Sequence, residues 1–301
     1  MKKLELIQAV RGIAALLVVY FHTCHDPKFG AFGVDIFFVL SGCVMAMLMT
    51  QGPSGPSFLA RRLARIVPLY FSATTAAYVV SCFLPAARTS GNIPTFANYL
   101  KSIAFIPHAA LSGDIVPVLG VGWTLNYEMA FYLCCATACA FTARYRSILA
   151  TLLVAALALV SSLVFGAYDT GRFYSNPVIV EFVAGLGVWH LASRWSACRP
   201  KAWAWLSIPV LVAFMAWCEW SNFSPVQGLG EWTRPARYLL PASLIVGLAI
   251  LCETVYASVK AEVRRGLVLL GDASYAIYLT HVFVIGAATF VFAKLGMPTV
   301  A

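Results

Sequence analysis

The chain has 301 residues, of which 61% are hydrophobic and 11% charged, against roughly 45–50% and about 25% in soluble globular domains. That composition excludes a water-soluble fold, because aqueous cores cannot hide so many apolar side chains, and makes lipid the solvent for much of the chain. The formal charge of +9 sits in short basic clusters between apolar runs. No RNA- or DNA-binding motif accompanies it, so the pattern points to orientation in a membrane and not to a nucleic-acid partner.

Taken in order, the chain opens with Met1-Lys2-Lys3 and an apolar run that imitates a signal peptide. Arg11 interrupts the run and no small-residue cleavage site follows, so the segment reads as a retained first span. About 20 residues cross roughly 30 Å of hydrocarbon, and on that measure nine candidate spans appear: 5–24, 32–50, 66–86, 123–143, 147–167, 177–194, 202–219, 238–258 and 267–289. The expected fold is all-α, a polytopic bundle of about nine to ten transmembrane helices forming one integral membrane domain over 1–301. The longest segment between spans, 87–122, carries Pro94, Pro107 and Pro117 and is expected to hold a short interfacial helix. Nine cysteines lack CxxC spacing, and Cys134, Cys135 and Cys139 lie inside apolar runs, which makes them buried small hydrophobes. With the N-terminus cytoplasmic, thirteen Lys and Arg fall in inner segments and seven, Arg234 among them, in the longer outer ones, the bias that orients multi-pass proteins. The last apolar stretch, Leu267 to Leu295, exceeds one span and falls short of two, so a short outer tail is expected after it.

Ionisable side chains inside spans are costly in lipid and mark functional sites by default. Arg11 and His22 are eleven residues apart, close to three helical turns, so they share a face with His22 roughly 16 Å further along. Asp35 opens the second span, Glu128 lies near the start of the fourth, and Tyr278 and His281 occupy the outer half of the last. All but Arg11 therefore agree in depth, in the outer half of the bilayer. Structural readings stand beside these. Asp35 would also serve as a helix cap, His25 and His108 as interfacial anchors, and Glu181 and His190 as a structural pair. Arg61, Arg62 and Arg65 are topology determinants whose forked donors would also suit phosphate. There is no zinc motif and no phosphate-cradling loop.

At these residues the chain resembles the membrane acyltransferase family 3. The resemblance is carried by Arg11 and His22, by Phe32-Gly33-Val34-Asp35-Ile36-Phe37-Phe38-Val39-Leu40-Ser41-Gly42, and by Arg62 and Arg65 with Ile66 and Pro68. It continues in Trp123, Leu125 and Glu128, in Glu181-Phe182 with Gly185, and in Ser274-Tyr275-Ala276-Ile277-Tyr278-Leu279-Thr280-His281. The stretch Gly122 to Met129 is similar to bacterial exopolysaccharide O-acetyltransferases, although Met129 stands where many of them have a second Glu, and the tenth span that relatives commonly have after the last signature is not expected within these residues. The resemblance implies acyl transfer, most simply acetyl, from acyl-coenzyme A to a hydroxyl of an extracytoplasmic polysaccharide or lipid-linked oligosaccharide, in a bacterial cytoplasmic (inner) membrane. It implies acetyl-coenzyme A as a co-substrate, no permanently bound cofactor and no metal. On that basis His22, Arg11, Glu128 and Asp35 are the expected catalytic groups. His22 is the general base, and Asp35 or Glu128 orients it. Arg11, Tyr278 or His281 faces the developing oxyanion. Arg62 and Arg65 would hold the coenzyme's phosphates; Tyr278, His281 and Trp123 would line the acceptor site. Intramembrane Arg, His and Glu also suit a polysaccharide exporter, and an inactive assembly scaffold is a third reading.

Overall fold

The computed structural model of the chain describes residues 4–23, 30–84, 95–110, 113–195, 217 and 232–296. Among the described residues the α-helices follow in the order α1 (Glu5–Thr23), α2 (Phe32–Met49), α3 (Gly55–Phe83), α4 (Phe96–Ile103), α5 (Trp123–Phe141), α6 (Arg146–Leu163), α7 (Asp169–Tyr174), α8 (Val180–Trp195), α9 (Thr233–Leu251), α10 (Glu253–Tyr256) and α11 (Ala261–Lys294). No β-strand occurs among the described residues. Six of the helices, α1, α2, α3, α6, α9 and α11, are long and apolar enough to cross a bilayer. The candidate span 202–219 and His25 lie outside the described residues, Trp217 apart.

Three boundaries differ from the sequence reading. Hydropathy starts the third span at residue 66, yet α3 begins at Gly55 with Pro56 in its first turn, the position where a missing N–H costs nothing. Arg61, Arg62 and Arg65 therefore stand on a helix. Pro68 lies inside α3 without ending it, as proline does in bilayer helices whose freed carbonyls find other donors. The carbonyl that loses its donor is that of Ala64, four residues earlier, while Ser72 Oγ bonds back to the Pro68 carbonyl itself at 2.9 Å. The eighth span, expected over 238–258, divides into α9 and the short α10, with Glu253 turned to a different task. Its two carboxylate oxygens accept from the Glu5 and Leu6 amides at 2.8 and 3.0 Å and cap the exposed N–H groups that open α1. The last helix runs 34 residues, about 51 Å at 1.5 Å per residue.

The chain forms two compact units, residues 1–47 with 180–301, and residues 48–179. In the first, α1 lies parallel to α11 in a constant register. Arg264 Nε meets Glu5 Oε2 at 2.8 Å, Gly271 faces Gly12 and His281 meets His22, each pair separated by 259 residues. The glycines make this possible. A Cβ on Gly271 would lie 2.0 Å from the Gln8 carbonyl oxygen, and one on Gly12 would lie 2.7 Å from Leu270 Cγ. In lipid such close backbone approach replaces the hydrophobic drive that water would supply. The α2–α8 crossing works the same way, with Gly42 against the Phe182 carbonyl and Gly185 against the Val39 carbonyl, both 2.0 Å from an added Cβ.

In the second unit α3 packs on α5 and α5 on α6. Arg146 donates to the Met49 carbonyl at 2.8 Å and the Thr142 carbonyl at 3.0 Å, which serves the C-terminal ends of α2 and α5. The segment between α3 and α5 holds the expected short helix, α4. It is capped by Thr95, whose side chain accepts from the Asn98 amide at 3.1 Å. Tyr70 OH donates to the Ser102 carbonyl at 3.0 Å, the Ser102 hydroxyl accepts from the Val118 amide at 2.9 Å, and Asp169 accepts from the Ala109 amide at 2.8 Å.

Candidate active site

His22 sits in the last turn of α1 and His281 in the middle of α11. Each is ten residues beyond its glycine of the Gly12–Gly271 crossing, so two parallel helices bring the imidazoles to one level. His281 Nε2 lies 3.3 Å from His22 Nδ1, with ring centroids 4.7 Å apart. His22 Nδ1 also lies 2.9 Å from the Val18 carbonyl, and His281 Nδ1 lies 2.7 Å from the Tyr278 carbonyl. His22 is exposed, whereas His281 is 4% exposed. Tyr278 is buried, its ring edge-on to Phe37 at 5.8 Å. Arg11, on the face of α1 that carries His22, donates to Gln8 Oε1 at 3.3 Å.

Asp35 is elsewhere in this unit's arrangement. Both of its oxygens accept from Arg234, Nε to Oδ1 and Nη2 to Oδ2, each at 2.9 Å. Asp35 is fully buried and Arg234 nearly so. Glu181, also fully buried, lies against this pair and not with His190. The three groups come from the first turns of α2, α8 and α9, so three helix starts meet at one cluster. Sequence reasoning counts Arg234 as an outer-loop charge. The signal available is weak: one long cation at the edge of an apolar run, with a buried carboxylate elsewhere in need of a partner.

The second unit carries the other expected residues. Arg61 and Arg62 line a cleft of about 440 Å³ with Leu48, Gln51, Pro53 and Phe58. Arg65, exposed one turn further along α3, is not among its lining residues. Arg61 belongs to the basic cluster that the sequence offers for phosphate, whereas Gln51 has no sequence signal, since it sits in the turn after α2 where there is no periodicity to read. Glu128 and Tyr132 of α5 stand near enough to Arg62 to act on its charge. Trp123, half-buried at the start of α5, sets its indole edge-on to Tyr127 at 6.0 Å. Thus His22, His281 and Tyr278 come together. Asp35 is joined to Arg234, and Glu128 stands by Arg62 of α3. Among the described residues no group of three or more His, Cys, Asp or Glu is placed to hold a metal.

Comparison with known proteins adds to this geometry. Residues 5–301 match the family model described as an acyltransferase domain. The exopolysaccharide production protein ExoZ of Rhizobium meliloti (strain 1021) is 33% identical over 287 residues, covering 91% of this chain and 81% of that protein. Nodulation protein 10 of Rhizobium leguminosarum bv. viciae is 25% identical over 290 residues, 86% of this chain and 73% of its own length. Acyltransferase MdmB of Streptomyces mycarofaciens is 25% identical over 289 residues, 87% and 70%. No solved structure matches.

Proposed function

This chain belongs to the acyltransferase family, and we propose on that premise that it is a membrane O-acyltransferase acting on a polysaccharide or lipid-linked oligosaccharide. The donor is acyl-coenzyme A, acetyl in the simplest case, and the acceptor hydroxyl lies at the outer face of a bacterial cytoplasmic membrane. The likeness to ExoZ, an exopolysaccharide production protein, supports that acceptor class.

The observation that carries the chemistry is the His22 imidazole at the end of α1, with one ring nitrogen anchored on the Val18 carbonyl. An unperturbed imidazole titrates near pH 6.5 and so can take and return a proton under ordinary conditions. His22 accepts the hydroxyl proton as the acceptor oxygen attacks the thioester carbon. The C–O bond forms, the C–S bond breaks, and the departing thiolate collects the proton from His22, which ends as it began. Arg11 lies roughly 16 Å away along the same face, too far to touch the same atoms, and is assigned to the donor's path. Arg61 and Arg62 hold the donor's phosphates; α1 and α2 each cross once before them, so they return to the side on which the chain begins. Arg65 adds charge nearby, while Tyr278 and Trp123 are assigned to the acceptor.

His22→Gln in membranes given labelled acetyl-coenzyme A and surface polysaccharide tests the reading. Transfer is expected to fall by about 10² to 10⁴, the usual contribution of a positioned base. Transfer at the wild-type rate would remove His22 from the chemistry.

A further inference from the structure

We infer that His281 is the positioning residue of this reaction: its Nε2 accepts the Nδ1–H of His22 and thereby reserves His22 Nε2 for the substrate proton. The inference rests on the reading of His22 as general base.

The carbonyl contacts assign the protons. A carbonyl oxygen only accepts, so the ring nitrogen facing it carries hydrogen. His281 Nδ1 faces the Tyr278 carbonyl at 2.7 Å and the Ile277 carbonyl at 3.3 Å, so Nδ1 is the protonated nitrogen and Nε2 has a lone pair. His22 Nδ1 faces the Val18 carbonyl at 2.9 Å and is protonated for the same reason. The 3.3 Å contact between the rings then has one polarity, His22 Nδ1–H to His281 Nε2, with the proton shared with Val18. The reverse polarity would set a bare His22 Nδ1 lone pair against the Val18 oxygen. A doubly protonated His281 would set two N–H groups against each other. What remains is a neutral His281 with a fixed tautomer, beside a His22 whose Nε2 is bare at rest and protonated in the transition state.

This arrangement strengthens where the reaction needs it. Once Nε2 takes the hydroxyl proton, His22 is a cation and its Nδ1–H bond to His281 becomes charge-assisted. An interaction stronger in the transition state than in the ground state raises kcat. The carboxylate that the sequence offers for this part, Asp35, gives both oxygens to Arg234; Glu128 stands by Arg62. A neutral imidazole performs the task without adding a net charge to the bilayer, where charge is costly. The Tyr278 carbonyl holds His281, and the Gly12–Gly271 crossing holds the level of both rings.

The test uses the full chain in detergent with acetyl-coenzyme A and de-acylated surface polysaccharide, read by thiol release and label transfer. His281→Leu removes the acceptor at similar volume and is expected to lower kcat by about 10- to 100-fold, with both KM values within about twofold. His281→Gln, whose amide oxygen can accept in place of Nε2, is expected to restore most of kcat. A wild-type kcat for His281→Leu would overturn the inference, as would a loss appearing in KM, which would mark a substrate contact. Should the leucine variant not fold, nitrogen-15 spectra of the labelled wild-type chain decide. A His22 Nδ1–H tautomer is expected, and an Nε2–H tautomer overturns the proposal. His22→Gln assayed alongside separates the layers. If it is active, the base reading itself fails; if it is inactive while His281→Leu is wild-type, only the positioning role falls.

Discussion

Arg234 grips Asp35 with two parallel hydrogen bonds of 2.9 Å, and a second carboxyl, Glu181, lies fully buried beside them. Burying ions is costly, and such a pair persists only when each charge is met geometrically. Removing the cation alone would leave two carboxyls in an apolar interior. Arg234→Leu is therefore expected to destabilise the protein by about 3–5 kcal/mol, and adding Asp35→Leu to recover part of that loss. Thermal unfolding in detergent measures both; an Arg234→Leu variant with the wild-type midpoint would contradict the account. Spacing within one helix makes the shared face of Arg11 and His22 legible from the sequence alone. The partner of Asp35 is not legible in that way, because it lies 199 residues away and nothing local in Arg234 distinguishes a buried cation from a loop charge.

Helices meet here through glycine, and the position of each decides what a methyl group does. On Gly271 an added Cβ would press on the Gln8 carbonyl, whereas on Gly266 in the same helix it would meet nothing within 4 Å. Gly271→Ala is expected to cost about 1–3 kcal/mol, as overpacking does, and to draw the two imidazoles apart, lowering acyl transfer by at least about tenfold. Gly266→Ala is expected to be neutral or slightly stabilising. Equal behaviour of the two variants, by unfolding and by activity, would refute the crossing as the source of the histidine level. The segment between α4 and α5 is expected to respond to pH. His108 is buried there with Nδ1 donating to the Ile106 carbonyl at 3.0 Å. Burial holds its pKa below the ordinary value, Lys101 lowers it further, and the Ile106 bond and Asp169 work against both. Because the folded pKa lies below the unfolded one, the unfolded segment binds more protons as pH falls. Stability is thus full above about 6.5 and declines as pH drops towards the folded value. Hydrogen exchange at the Ala109 and Val118 amides should lose protection between about pH 7.5 and 5, the window around the ordinary imidazole pKa, and His108→Asn should abolish that dependence. Hydropathy reveals most of these elements but misplaces the start of α3. The Arg61, Arg62 and Arg65 cluster reads as a loop, since charge marks the edge of hydrocarbon and not the end of a helix.

Across the molecule, eight of the nine candidate spans correspond to helices, and the other falls outside the described residues. Which helices pair is hidden in the sequence. Hydropathy gives depth along a span, but the parallel register of α1 with α11 joins residues 259 apart, so the grouping of 1–47 with 180–301 has no local sign. The same grouping divides the proposed labour, with the imidazole pair in one unit and the arginine-lined cleft in the other. That division makes a separable prediction. Acyl-coenzyme A carries phosphates and acyl-pantetheine does not, yet both present the same thioester. If Arg61 and Arg62 bind phosphate and nothing else, Arg61→Ala with Arg62→Ala raises KM for acyl-coenzyme A by about 10- to 100-fold, the range of one lost charge-assisted hydrogen bond. KM for acyl-pantetheine and kcat for both donors stay where they were. His22→Gln must show the complementary pattern, a lower kcat with either donor and little change in KM. Steady-state assays of the two variants with the two donors give the answer directly. An arginine variant that weakens both donors alike would mean that the cleft grips the acyl arm or shapes the helix, and the phosphate assignment would have to be given up.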